Sequence, residues 1–281
     1  MTLFDHHVHS DRSDGRVSLE ERARSVAVRP HGVSDHYPWR DKMRDDDDVL
    51  RYLDDASRLG LRVGLEYDLG VAPPLRPATR DALHYLIGAV HQLEVGGVWI
   101  GFSEAGGFLK GQRGGSAFAE AARFASAELR ARILERMLEV VRHGIEDVGV
   151  DIVGHPTFLP LLALGEPEEM LPAPWQERLI ELCVHSRVAI EVNESYRVPH
   201  REFLVRARER GATFSVGSDT HGDLGPLDRT EAMIGEAGLG AERFLSGSRV
   251  RKGASERPAP PARASSTSGV EAARPKAERV E

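Results

Sequence analysis

Short β-like runs alternate with helical runs along most of this chain, and this order limits the possible folds more than any other feature. The helical runs cover residues 19–27, 48–59, 116–143, 175–186 and 201–210. The β-like runs cover residues 2–4, 32–34, 61–66, 85–90, 150–154, 189–192 and 213–217. Strands that alternate with helices favour a parallel sheet covered by helices. The sequence therefore predicts an α/β protein, built either as a barrel or as a doubly wound sheet.

Two helix starts carry their own signals. Ser18 followed by Glu21 has the spacing of a capping box at the start of the first helix. The four aspartates at 45–48 stand where carboxylates stabilise the positive end of a helix dipole. We interpret this acidic run as a helix start on a solvated face, and a metal site there is the alternative.

Composition excludes several classes of protein. The chain has 281 residues, 41% of them hydrophobic, which suffices for a sizeable core. Its net charge of −7 argues against strong nucleic-acid binding, which needs clustered positive charge. Cys183 is the single cysteine, so no intramolecular disulfide and no multi-cysteine zinc site can form.

No apolar run reaches the length of about 18 residues that a membrane span needs. The N-terminus lacks the features of a signal peptide, so we expect a cytoplasmic protein. The sequence leaves the oligomeric state open.

The last part of the chain differs from the rest. Residues 246–281 are rich in Pro, Ala, Ser and Arg and contain almost no large apolar side chain. Such a segment cannot bury enough surface to offset the entropy of ordering it. We therefore predict one domain over residues 1–245 and a disordered tail over residues 246–281.

Histidines and carboxylates follow six of the predicted strands. In a parallel α/β barrel the carboxyl ends of the strands meet on one rim, where active sites lie. Imidazole and carboxylate together are ligands for zinc, manganese or iron. The sequence thus predicts a metal site, and three ions with roughly three protein ligands each would use the whole set. Its members are His7, His9, Asp14, His36, Glu66, His91, His155, Asp219 and His221.

The order of these motifs resembles the PHP (polymerase and histidinol phosphatase) superfamily. Along the chain it runs HxH, SDG, SDH, a Glu that ends a strand, VH, GHP and SDTH. The resemblance covers about residues 1–225. It implies a distorted (β/α)7 TIM-like barrel, a trinuclear metal centre at its carboxyl rim and hydrolysis of phosphate esters. All nine positions of the motif set are filled, and Glu66 takes the position of the carboxylate that bridges two ions.

Residues 190–200 (IEVNESYRVPH) are similar to the histidinol-phosphatase branch of that superfamily. The similarity implies that Arg197 contacts the substrate phosphate, a task that suits the planar fork of arginine. Asn193 either hydrogen-bonds the substrate or caps a loop. His200 is a candidate general acid for the leaving oxygen. Asp5 and Asp35 adjoin ligand motifs and are candidates to orient the imidazoles.

The implied activity is that of a metal-dependent phosphatase for a small phosphomonoester. L-histidinol phosphate, a substrate of histidine biosynthesis, is the first choice, with attack by a hydroxide that bridges two ions. The alternative is a PHP phosphoesterase that acts on nucleotides or oligonucleotide ends. An amidohydrolase, which also uses an HxH barrel site, and a non-catalytic metal-storing protein are more distant alternatives. Both predict one or two ions where the PHP resemblance predicts three.

Overall fold

The computed structural model describes residues 3–111 and 118–247. Nine α-helices and eight β-strands lie in these two segments, together with short 3₁₀ and π turns. The strands are β1 Gly32–Tyr37, β2 Arg62–Asp68, β3 Tyr85–Ala89, β4 Gln92–Val95, β5 Val98–Gly101, β6 Ile152–Val153, β7 Ala189–Asn193 and β8 Phe214–Gly217. The helices are α1 Leu19–Ser25, α2 Asp46–Arg58, α3 Pro77–Ala82, α4 Ser103–Leu109, α5 Ala127–His143, α6 Pro167–Met170, α7 Ala173–Ser186, α8 Arg201–Glu209 and α9 Asp228–Ala237.

Six strands form one parallel sheet in the order β1-β2-β3-β6-β7-β8. The predicted α/β class is therefore confirmed. The segment 5–9 lies between the two edge strands, since His6 N donates to Val216 O (2.8 Å) and Ser34 N donates to Val8 O (2.9 Å). This segment makes only isolated bridges in place of a regular strand. The structure thus shows a barrel-like sheet, and the seven-strand count stays a prediction.

Two apolar clusters cover the two faces of the sheet. The larger cluster packs the helices against the sheet. The smaller one consists of Tyr85, Ile87, Ile152 and Ala189 on the other face. Gly64 pairs with Tyr85 in the β2–β3 register, and a Cβ at Gly64 would collide with the Tyr85 ring. Side chains two residues apart share a face, so this packing also fixes which side chains lie further along the same face.

The helix signals in the sequence are confirmed. Ser18 and Glu21 form the predicted capping box at α1. The acidic run begins α2, where the Asp45 side chain accepts from the backbone N–H groups of Asp47 and Asp48. Asp45 thus caps the helix as predicted, whereas Asp48 is buried and pairs with Arg44 and Arg51, so the run is not solvated throughout.

Several element boundaries differ from the prediction. The helix predicted over 116–143 begins only at Ala127, because Ser126 caps it by accepting from Leu129 N; residues 116 and 117 lie outside the described segments. Strand β1 extends to Tyr37, so His36 lies within the strand and not after it. The β4–β5 hairpin was not predicted, although its Gly96–Gly97 turn is a recognised hairpin signal.

The predicted tail is largely outside the described residues, which end at Gly247. Ser246 and Gly247 fall within the range predicted as tail, yet both are described. Leu245 N donates to Phe214 O (2.8 Å), and a Cβ at Gly247 would collide with the Phe4 ring. The packed region therefore extends at least two residues beyond the predicted boundary at 245.

Among the described residues, we find no helix of the length and apolar character needed to cross a membrane.

The glycine beside Tyr85 allows a test of the packing inside the sheet. Gly64→Ala should lower the free energy of unfolding by about 1–3 kcal/mol, because the added methyl group overpacks against the ring. Urea denaturation measures the change. Gly101→Ala is the matched control, since no atom lies within 4 Å of its added Cβ. In a Tyr85→Leu background, Gly64→Ala should lower the free energy of unfolding by a smaller amount. Equal losses in both backgrounds would contradict the contact between position 64 and the Tyr85 ring.

Candidate metal centre

A single buried carboxylate stands at the centre of the predicted ligand set. Glu66 lies on β2 with 1% of its surface exposed. Five imidazole rings approach its two oxygens from four different parts of the chain, since His7 and His9 belong to one segment. The nitrogen-to-oxygen distances are His36 2.8 Å, His155 3.0 Å, His91 3.1 Å, His7 3.2 Å and His9 3.4 Å.

Two further carboxylates join the same network. Asp219 Oδ1 lies 3.4 Å from His9 Nε2 and 3.7 Å from His221 Nδ1. Asp14 lies 3.2 Å from His221 Nε2 and 3.5 Å from His36 Nε2. All nine side chains predicted as ligands are therefore brought together in one continuous cluster at the carboxyl ends of the strands.

The sheet register explains this convergence. His36 and Glu66 are direct partners in the parallel β1–β2 ladder, so their side chains lie on the same face. His155 and Asp219 follow β6 and β8 in left-handed backbone conformations, with φ of 28° and 53°. Residues other than glycine rarely adopt such angles, and where they do the surrounding structure holds them. The sharp turns after β6 and β8 thus direct both side chains into the cluster.

The donor atoms of the cluster fit divalent ions. Buried atoms His7 Nε2, His9 Nε2 and Glu66 Oε2 have no hydrogen-bond partner within the described segments. Ligand atoms at about 2.0–2.1 Å from a tetrahedral zinc ion lie about 3.3 Å apart. The separations of His7 and His9 from Glu66, 3.2 and 3.4 Å, match that spacing.

Within the cluster, three groups of donor atoms are compact enough to share an ion. Within each group all donor atoms lie within 4.8 Å of one another. The groups overlap, because His9, His36 and Glu66 each belong to two of them. The three groups are His9 with Asp14, His36 and His221; His7 with His9 and Glu66; and His36 with Glu66 and His91.

Glu191 orients the His7 ring of the cluster, a role that the sequence analysis did not assign to it. Its Oε1 lies 2.6 Å from His7 Nδ1, which leaves His7 Nε2 directed at Glu66. Its Oε2 accepts from His155 N (2.6 Å) and Asn193 Nδ2 (3.0 Å). A carboxylate on the second ring nitrogen fixes the tautomer and the orientation of a metal-binding histidine. The available signal was a glutamate in the otherwise apolar run AIEV of β7.

The prediction that Asp5 and Asp35 orient imidazoles is wrong. Asp5 accepts from the backbone nitrogens of His7 (3.2 Å) and Ser218 (2.9 Å). Asp35 accepts from the backbone nitrogen of Ser10 (2.8 Å). Asp5 also pairs with Arg29 (2.8 Å), and Asp35 accepts from the hydroxyls of Ser10 (2.7 Å) and Ser13 (2.6 Å). Both carboxylates thus hold the segments that carry the cluster, and their hydrogen bonds go to backbone, guanidinium and hydroxyl groups and not to the rings.

The charges in the cluster shift one another's protonation. Burial raises the pKa of Glu66, but the neighbouring histidines, first His36 and then His7, hold it well below its ordinary value. Burial lowers the pKa of His36, yet Glu66 and Asp14 outweigh this effect and raise it to about 10. For His91 burial is likewise outweighed by Glu66, and the pKa rises to about 9. Without an ion, protons on these rings compensate the buried carboxylates.

Of the three residues predicted to bind or protonate the substrate, Asn193 ends β7, and Arg197 and His200 lie in the loop that follows it. Asn193 caps this loop, since its Oδ1 accepts from Tyr196 N (2.9 Å). Arg197 is exposed, with φ of 57°, and makes no ion pair within the described residues. His200 lies at the N-cap of α8, in a group with Glu168 and Glu202 that is separate from the nine residues. Their roles toward the substrate stay predictions.

Fold and cluster together define a class: a parallel, barrel-like α/β domain with a histidine- and carboxylate-rich centre at the carboxyl ends of its strands. Neither a protein-family model nor a curated protein matches the sequence.

Two solved structures share this fold. A candidate histidinol phosphatase from Listeria monocytogenes is 15% identical, with a TM-score of 0.57 over 78% of this chain and 95% of that chain. Histidinol phosphate phosphatase from Lactococcus lactis, in complex with zinc, L-histidinol and phosphate, is 13% identical, with a TM-score of 0.55 over 89% of this chain and 97% of that chain. The predicted resemblance to histidinol phosphatases is thus confirmed at the level of the fold.

Removing the Glu191 carboxylate tests its role in orienting His7. Glu191→Gln should weaken the binding of divalent metal by about 10- to 100-fold, the usual effect of losing such a partner. Competition with a chelator measures the affinity. Glu181→Gln, on the exposed face of α7 beside Arg210, is the matched control and should bind metal like the wild type. Equal affinities for both variants would show that Glu191 does not support the centre.

Metal binding should release protons, because the raised pKa values keep His36 and His91 protonated at neutral pH and an ion requires neutral rings. The apparent affinity should therefore fall as the pH falls below about 9. Calorimetric titration with zinc at pH 7.5, in two buffers with different ionisation enthalpies, counts the protons. His36→Gln should release fewer protons, whereas His143→Gln, an exposed ring paired with Asp147, should not change the number. Identical heats in both buffers would contradict this expectation.

Proposed function

We propose that this protein is a metal-dependent phosphatase for a small phosphomonoester, with L-histidinol phosphate as the favoured substrate. One observation carries the proposal: five histidines from four parts of the chain converge on the buried carboxylate of Glu66. The fold that produces this convergence is shared with a candidate histidinol phosphatase and with a histidinol phosphate phosphatase in complex with zinc, L-histidinol and phosphate.

We propose three divalent ions at the centre, held by the nine residues, among which three overlapping compact groups of donor atoms lie. His155 contacts Glu66 and Asp219 contacts His9, and these two residues complete the set of nine. Imidazole and carboxylate donors suit zinc, manganese and iron, so the ligands alone do not select among them. Bound ions of this kind stabilise phosphate charge and lower the pKa of water to near neutral.

The residues of this chain would orient the substrate around that centre. Arg197 lies four residues beyond β7, at the rim that carries the cluster, and its guanidinium has no ion-pair partner within the described residues. A free guanidinium can donate two parallel hydrogen bonds to a phosphate. Asn193 holds the loop by its bonds to Tyr196 N and Glu191, which keeps Arg197 at this rim. In this proposal His200 remains the candidate donor of the proton to the leaving oxygen.

A panel of substrates tests the proposal. Metal-loaded protein is assayed for phosphate release from histidinol phosphate, p-nitrophenyl phosphate, a nucleoside monophosphate, a cyclic dinucleotide and single-stranded DNA. We expect histidinol phosphate to lead by more than about 100-fold in kcat/KM, or about 2.7 kcal/mol in transition-state binding. Arg197→Ala should lower that value by about 10- to 100-fold, the effect of losing hydrogen bonds to a charged group.

Arg187→Ala is the matched control, because Arg187 is also an exposed arginine with positive φ (56°). It precedes β7, at the opposite end of the sheet, and should leave hydrolysis unchanged. If a nucleotide or an oligonucleotide end leads the panel, the alternative phosphoesterase activity replaces histidinol phosphate. If the metal-loaded protein hydrolyses no member of the panel, the proposed phosphatase activity is wrong.

A further inference from the structure

Tyr196, which directly precedes Arg197, is covered on both faces of its ring. The Phe158 ring stacks on it, with centroids 3.9 Å apart and an interplanar angle of 21°. The Lys110 ammonium lies 4.0 Å from the centre of the Tyr196 ring. Both partners are too close to the ring centre to share one face, so they occupy opposite faces. The ring therefore holds the ammonium and is not free to stack on a substrate.

This arrangement adjoins the metal centre. The edge of the Tyr196 ring faces His155, with centroids 5.4 Å apart. Lys110 therefore lies over a ring whose edge contacts a residue of the cluster.

The local sequence explains how Lys110 reaches this position. Lys110 directly follows α4 and forms its C-cap. On that helix a Cβ at Gly106 would lie 3.2 Å from Phe158 and 3.3 Å from Tyr196. A larger residue would press the helix away from the two rings, so Gly106 permits the close approach that places the ammonium over Tyr196. Within the described residues Lys110 has no carboxylate partner.

We propose that Lys110 binds the phosphate group of the substrate and that Tyr196 positions its ammonium for this contact. The inference rests on the proposed phosphatase function and extends it, since it adds a second cation to Arg197. A lysine ammonium is a compact point charge that binds phosphate oxygens. An aromatic face attracts such a cation without neutralising it, unlike a carboxylate. The charge therefore stays available to an anion beside the centre.

Binding of inorganic phosphate, the product of the reaction, tests Lys110 directly. Calorimetry on metal-loaded protein gives the dissociation constant. Lys110→Gln should weaken phosphate binding by about 10- to 100-fold, while its metal content stays equal to that of the wild type. Lys110→Arg should restore most of the affinity because it retains the positive charge.

Tyr196 is tested by a conservative pair of variants. Tyr196→Phe keeps the ring face and should bind phosphate like the wild type. Tyr196→Leu removes the face and should weaken binding by about threefold, with a larger effect on KM than on kcat. Arg136→Gln, on the exposed side of α5 where Arg136 pairs with Glu139, is the control for removing a surface cation.

The outcomes separate this inference from the proposed function. If the wild type hydrolyses phosphomonoesters and Lys110→Gln retains wild-type phosphate affinity, only the inference about Lys110 is wrong. If Tyr196→Phe loses as much affinity as Tyr196→Leu, the hydroxyl and not the ring face matters, and the positioning role is wrong. If the wild type neither hydrolyses the panel nor binds phosphate, both proposals are wrong.

Discussion

A carboxylate buried away from water keeps its charge only beside compensating positive charge, and the carboxyl end of this sheet is organised around that requirement at Glu66. Five imidazoles meet its two oxygens, and protons on His36 and His91 balance the charge when no ion is bound. Divalent ions would replace those protons with stronger and fixed positive charge. The same constraint explains why Glu191 is buried beside His7: an imidazole that faces an ion needs a partner on its other nitrogen.

The sheet separates a packed end from a polar end, and β7 shows how. Ala189 belongs to the small apolar cluster with Tyr85, while Glu191 and Asn193 follow at alternate positions on the same face. Packing at the apolar end sets the position of each strand, and these strand positions also determine where the side chains at the polar end lie. Glycines make the arrangement possible at both ends, since a Cβ at Gly217 would collide with Glu191, as one at Gly64 would with Tyr85.

The fold class and the members of the cluster could be predicted because the sequence patterns that indicate them extend over only a few residues. Alternating strands and helices predicted the α/β class, and His or carboxylate residues near the strand ends predicted the nine members of the cluster. Glu191 was missed because one glutamate in a short apolar strand looks the same whether it binds a ring or a backbone group. The role of Lys110 depends on a contact with Tyr196, which is 86 residues away in the sequence. No local pattern indicates such a contact.

The sequence by itself determined the class of fold, the helix caps and the residue types available at the carboxyl ends of the strands. These follow from backbone preferences and from periodicities of two and 3.6 residues, which act over a few positions. Only the tertiary structure decided that five rings share Glu66, that Asp5 and Asp35 hold backbone instead of imidazoles, and that Lys110 lies over Tyr196. Those outcomes depend on the sheet register and on helix packing, which bring together atoms that are distant in the chain. No single stretch of sequence therefore indicates them.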